Sequence, residues 1–309
     1  MNSSPLNRSI SRRAFSAGLC ATACVAATAA MAGRVWPVRL GVQSYSFRDR
    51  PLAEALISMQ RLGLLECELY SPHIELGGVA AQRVLLGLDS ATDETRQRIR
   101  DSLRNWRLGA SAAYYESIAA QFRRAGVKLV AYNISFRPGH TEAEIDSGFR
   151  AARALGVRVI NSSSTLSLLP AVARFAERYG MIVGVHNHAG LANPDEIETP
   201  QSIEQALRVS PRIGVNLDIG HFVAAGYDPV PFMRAHSERT TMLHVKDRKA
   251  NDGPAVPFGE GDTPVRQVLL AMRAGRYRFP ALIEHEYRGD GNAEVEVQRS
   301  LDYCRDVLR

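Results

Sequence analysis

The chain has 309 residues, 45% hydrophobic and 23% charged, an ordinary water-soluble composition with enough length for a sizeable core. Its formal net charge is +6, with no lysine- or arginine-rich block and no acidic tail, so nothing in the charge pattern calls for nucleic acid. Length alone would allow two domains, but α/β barrels commonly run 200–250 residues as one.

In chain order, the first segment reads as a targeting signal. Ser11-Arg12-Arg13-Ala14-Phe15 opens a small-residue apolar stretch from Ala17 to Ala30, and Ala30-Met31-Ala32 fits a small-x-small cleavage site. Paired arginines before a mildly apolar run resemble a twin-arginine export signal, which implies the export machinery as a partner and a periplasmic location. The stretch is short and rich in alanine and threonine, so a stable membrane anchor is not expected. We assign residues 1–32 to the signal and 33–309 to one domain. Removing 1–32 takes Arg8, Arg12 and Arg13 and no acid, which lowers the charge from +6 to +3. Cys20 and Cys24 leave with the signal. Cys67 and Cys304 stay, in no metal-type spacing, and read as two buried thiols.

The remaining chain alternates short β-branched runs with stretches of helical period. The predicted strands are Val38–Tyr45, Leu64–Leu69, Lys128–Ser135, Val157–Ser162, Ile182–His186, Ile213–Leu217, Met242–Val245 and Ala281–Glu284. The predicted helices are Leu52–Leu62, Asp93–Arg107, Ala112–Ala125, Glu142–Leu155, Leu168–Tyr179, Pro200–Val209, Pro231–His236, Thr263–Ala274 and Glu294–Val307. Gly126, Gly156 and Gly180 stand where helix C-caps are expected. Eight strands alternating with helices predict an α/β fold, a single (β/α)8 TIM barrel.

Such barrels carry their chemistry at the C-terminal ends of the strands. Four successive predicted strands end in unusual residues: His186-Asn187-His188, Asp218-Ile219-Gly220-His221, His244-Val245-Lys246-Asp247 and Glu284-His285-Glu286. Each alone reads as a core histidine, a turn or a surface pair. Together they predict a site of imidazole and carboxylate ligands for one divalent ion. Mn2+, Co2+, Zn2+, Mg2+ and Fe2+ all suit such donors.

Leu217-Asp218-Ile219-Gly220-His221, Leu243-His244-Val245-Lys246-Asp247 and Ile283-Glu284 resemble the sugar isomerase/epimerase superfamily with a xylose-isomerase-like barrel. Gly41–Phe47, Glu66–Tyr70 and Phe258-Gly259-Glu260-Gly261-Asp262 are similar to its other motifs, so the likeness spans the mature chain. It implies a metal-dependent isomerase or epimerase of a small-molecule sugar or glycoside. The proton next to a carbonyl is removed and an enediolate forms.

The resemblance assigns Asp218, His244 and Glu284 as ligands. Strand five departs from the epimerase pattern, with His186 where the epimerases have Glu. His186 is the expected fourth ligand and His188 its competitor on the same face. Glu284 is the expected base, and His186, His188 or Lys246 the group that returns the proton. Glu68 and His221 are expected to bind sugar hydroxyls, and Glu260 to position Lys246 or substrate. The alternatives are a lyase or hydratase on a keto-sugar or keto-glycoside, and a non-catalytic sugar-binding protein. A DNA-repair nuclease on the same barrel is disfavoured by export and by the small mature charge. An oligomer is compatible with the sequence but not specified by it.

Overall fold

The computed structural model describes residues 38–309, apart from 191 and 290. The expected signal at 1–32 lies outside the described residues. Eight short strands account for the barrel: β1 Leu40–Gln43, β2 Glu66–Tyr70, β3 Lys128–Asn133, β4 Val159–Ser162, β5 Ile182–His186, β6 Ile213–Asp218, β7 Thr240–Val245 and β8 Ala281–Ile283. Each pairs in parallel with its neighbours in chain order, and β8 closes onto β1 through Leu40↔Ala281, Gly41↔Leu282 and Val42↔Ile283. The closed parallel barrel expected from the alternation is therefore present. A parallel strand wrapped by helices is covered on both faces, and β6 is buried at all six positions.

The helices lie between the strands. They are α1 Leu52–Leu62, α2 Gly78–Leu85, α3 Asp93–Gly109, α4 Ala112–Arg124, α5 Glu142–Leu155, α6 Leu169–Tyr179, α7 Pro200–Val209, α8 Ile219–Ala224, α9 Pro229–Ala235, α10 Val265–Gly275 and α11 Ala293–Leu308. Among the described residues none is long and apolar enough to cross a membrane. Thr141 caps α5 through a reciprocal bond pattern with Glu144, and Gly156 and Gly180 end α5 and α6 in the left-handed conformation. Cys67 and Cys304 are free, buried thiols.

Several elements differ from the sequence-based expectation, among them the short helix α8, which no predicted helix covers. The first strand stops at Gln43, because Ser44–Phe47 turn into a 3-10 helix whose Tyr45 N–H is taken by the Gln43 side chain. The expected long loop after β2 holds α2, which has no fully buried residue and therefore no apolar stripe to read. After β7 the chain forms a small antiparallel pair, Asp247–Arg248 with Ala255–Val256. Asp247 accepts from the N–H groups of Gly259, Gly261 and Thr263, at 2.8, 3.0 and 3.1 Å, and so folds the following loop around its carboxylate.

Candidate metal centre

Strand register gathers the ligands. His186 lies beside Asn216 across β5 and β6, and Asp218 lies directly beside His244 across β6 and β7. Residues two apart share a face, so His186, Asp218 and His244 all turn to the same end of the barrel. Glu284 follows the last residue of β8, and its N–H bonds the Val245 carbonyl at 3.0 Å.

One potential ligand atom from each of His186, Asp218, His244 and Glu284 lies within 4.8 Å of the others, and all four residues are buried. Nε2 of His186 is 3.3 Å from Oδ2 of Asp218, and Nδ1 of His244 is 3.1 Å from Oε2 of Glu284. These same four atoms have no directed hydrogen bond in the protein. Oδ2 of Asp218 and Oε2 of Glu284 are ion-paired with Lys246, and with the two imidazole nitrogens they converge on one point.

In Asp218 and His244 the other atom is tied down. Oδ1 of Asp218 caps α8, accepting from the His221 N–H at 2.8 Å and leaving Oδ2 for the cluster. Asn187, fully buried, clamps the Asp218 backbone from both sides: Oδ1 accepts from its N–H at 2.9 Å and Nδ2 donates to its carbonyl at 3.1 Å. Nε2 of His244 bonds the Glu68 carboxylate, which turns Nδ1 toward the cluster. Asn133 and Asn161 donate to Oε1 of Glu68 at 3.1 and 2.9 Å. Gly184 leaves the space for Asn161, whose Oδ1 would stand 2.3 Å from any Cβ there.

Charge balance also asks for a cation. Glu68, Asp218, Glu284 and Glu286 bring four carboxylates together, and Lys246 is the one lysine among them. Its Nζ lies 2.9, 2.8 and 2.7 Å from Asp218, Glu284 and Glu286. With His244 held protonated as well, two negative charges remain, and an uncompensated buried ion costs several kcal/mol. Burial pushes the carboxyls of Asp218 and Glu284 up. The Lys246 ammonium outweighs it, aided by His221 and His186 at Asp218 and by His244 at Glu284, and both stay well below the usual carboxylate range. Burial lowers Lys246, but the three carboxylates hold it well above an ordinary lysine. Burial likewise lowers His244, and Glu284 and Glu68 more than reverse it. Two imidazole nitrogens and two carboxylate oxygens suit a borderline divalent ion, so the residues present fit a metal.

Above the cluster opens a cavity of about 420 Å3. His186, His244 and Glu284 reach its floor, and Gln43, Asn133, Ser135, Ser163, His188 and Glu286 give its walls hydrogen-bonding groups. Burial, then the neighbouring His186 and Lys246, pushes the His188 imidazole down to about 3.

The other expected site residues take these places. His186, rather than His188, supplies the strand-five atom of the cluster, while His188 lines the cavity. Glu68 does not line the cavity; fully buried beneath His244, it is positioned to orient that ring rather than a sugar hydroxyl. His221 stands behind His188, ring centroids 5.0 Å apart, with Arg248 on its Nδ1 at 2.5 Å, and it too is outside the cavity wall. Lys246 is buried behind Glu284 and Glu286. Glu260 is exposed and away from the cavity, because the N–H groups on either side of it point inward to Asp247. Its expected role beside Lys246 falls to Glu286. Sequence reasoning passed over Asn187, Asn161 and Glu286. Asparagine is depleted in strands, so fully buried Asn161 and Asn216 on β4 and β6 were the available signal.

The xylose isomerase-like TIM barrel family matches residues 86–307. The chain belongs to that family. Solved structures of similar fold include the 3-keto-D-glucoside 4-epimerase YcjR from E. coli, 13% identical, covering 87% of this chain and 99% of that one at a TM-score of 0.60. The probable 3-DHS dehydratase AsbF of Bacillus anthracis is 13% identical, covering 86% and 98% at 0.60. The IolI protein, solved with a zinc atom bound, is 16% identical, covering 87% and 98% at 0.59. At these identities the family likeness is one of fold. No curated protein matches the chain in sequence.

Proposed function

We propose that the protein is a metal-dependent isomerase or epimerase of a sugar or sugar derivative, exported to the periplasm by its twin-arginine segment. The observation that carries the enzymatic reading is the convergence of four potential ligand atoms, from four successive strands, at the floor of a cavity walled by amide, hydroxyl and imidazole groups. His186, Asp218, His244 and Glu284 would hold the ion. A divalent ion there polarises a substrate carbonyl or hydroxyl and stabilises an enediolate.

The protein's own groups supply the rest. Glu284 stays ionised at the cavity floor and is the base for the proton next to the carbonyl. His188 is neutral and lines the cavity from strand five, three strands away from β8 around the barrel. A proton removed by Glu284 on one side and delivered through His188 on the other inverts the carbon. Lys246 keeps Glu284 charged and pairs with Glu286 without entering the cavity.

A second reading is favoured by His186. Epimerisation by two carboxylate ligands needs one on strand five, and here an imidazole stands in that place. A lyase or hydratase on a keto-sugar or keto-glycoside needs one base, Glu284, which can return the proton it removes to the leaving oxygen. The fold likeness to both an epimerase and a dehydratase is compatible with either. Incubation with ketoses and 3-keto-glycosides in D2O, with and without Mn2+ or Zn2+, tests both. Deuterium at the carbon beside the carbonyl is expected in either case, and the product separates them. No exchange and no product with any metal overturns both readings.

A further inference from the structure

The catalytic cavity continues into a second cavity of about 430 Å3, and the two share Tyr70, Gln82, Leu86, Asn133, Ser135 and Arg137 as a common wall. The ligand cluster stands on β5–β8, whereas the second cavity lies beyond β2 and β3, under α2 and α3. A molecule lying across the shared wall therefore runs from the ion-holding side of the barrel mouth to the opposite side. The first cavity alone is already within the roughly 300–1,000 Å3 that small ligands use, so a single ring gripped by the ligand cluster leaves the second cavity unfilled.

The two cavities differ in chemistry. The inner one presents hydrogen-bonding groups on several sides. The outer one has an apolar wall of Pro72, Leu85, Leu86 and Leu103, with four arginines around it. Those arginines do not ask for an anion. Arg107 forms a two-point pair with Glu75 at 2.7 and 2.8 Å, Arg104 bonds Glu144 at 2.8 Å, and Arg137 pairs with Glu196. Arg100 donates to the Gln97 amide at 2.9 and 3.1 Å. A wall of leucines with three of its four arginines charge-matched suits the flat face of a neutral ring better than a phosphate.

We propose that the substrate is a neutral two-ring glycoside, one sugar ring over the ligand cluster and the second ring, sugar or aromatic, in the outer cavity. This rests on the sugar-enzyme reading above and narrows its substrate class. Calorimetry on the metal-loaded protein with unreactive ligands tests it: D-glucose, D-glucose 6-phosphate, phenyl β-D-glucoside and cellobiose. The two-ring ligands should bind at least tenfold tighter than glucose, and the phosphate should add nothing. Leu85→Trp, which fills the outer cavity, should reduce the two-ring advantage to about threefold or less, and Arg100→Ala should reduce it less. Equal binding of glucose and the glucosides, a preference for the phosphate, or an advantage unchanged in both variants overturns the two-ring assignment and leaves the enzymatic reading standing. No binding of any sugar overturns both.

Discussion

His244 is decided by what holds it from behind. Glu68 accepts a hydrogen bond from its Nε2, and two asparagines hold Glu68, so Nδ1 faces the cluster. Such outer partners commonly contribute 10–100-fold to metal affinity. Glu68→Gln should therefore weaken metal binding by that factor while leaving the far-UV circular dichroism unchanged; chelator competition reads the difference, and an unaltered affinity would show that Glu68 does not orient the ligand. Removing the ligand itself is harsher. His244→Ala should reduce bound metal after dialysis from one ion per chain to near zero, with activity lost in proportion, as measured by elemental analysis. The residues of this cluster were readable in the sequence because four successive strand ends carried them. Glu68 was noticed but misplaced: its position on β2 is visible in the sequence, whereas its depth is not. Nothing local tells whether a carboxylate opens to a cavity or points at a ring from β7.

Among the elements, α8 and the end of β7 approach so closely that a side chain between them is excluded. A Cβ on Gly220 would stand 2.3 Å from Cγ of Lys246 and 3.0 Å from its carbonyl. Gly220→Ala should push Lys246 away from Asp218 and Glu284, cost about 1–3 kcal/mol of stability and lower metal occupancy, as measured by urea denaturation and elemental analysis. The turn after β2 carries a separate, pH-dependent term. Ser44 Oγ lies 2.9 Å from Nδ1 of His73, Nε2 lies 3.3 Å from the Phe47 carbonyl, and the Tyr70 N–H donates to Ser44 at 2.9 Å. Burial pushes His73 down to about 4, against small opposing contributions from the Phe47 carbonyl and Asp49. The folded state thus refuses a proton that the unfolded state accepts from about pH 6.5 downward, so this stability is present above pH 6.5 and is lost as pH falls toward 4. The loss amounts to about 2–3 kcal/mol. His73→Gln should flatten the stability profile between pH 6.5 and 4, and an unchanged slope would contradict the assignment. Strong periodicity made the long helices readable from sequence. Helix α2 and the Asp247 loop were not, since the first has no buried stripe and the second depends on one carboxylate collecting N–H groups up to sixteen residues away.

At the scale of the whole molecule, the barrel follows from repetition: eight short strands, each too small to bury itself, close only when β8 meets β1. That closure brings β5 to β8 together at one end and leaves the ends of β2 and β3 to shape the far side of the mouth. Alternation of strands and helices was enough to anticipate this architecture. The cavity's extent was not, because its walls come from loops and helices whose packing has no periodic signal. The proposed export rests on the full chain. Replacing Arg12 and Arg13 together by Lys should retain the protein in the cytoplasm on cell fractionation, and undiminished periplasmic protein would contradict a twin-arginine route. The central claim is one divalent ion held by four residues from four strands. An anomalous-difference map from crystals grown with Mn2+ tests it most directly. The account predicts a single peak per chain bonded to His186, Asp218, His244 and Glu284. A map with no peak at the cluster, or a peak bonded to His188 with His186 turned away, would contradict it.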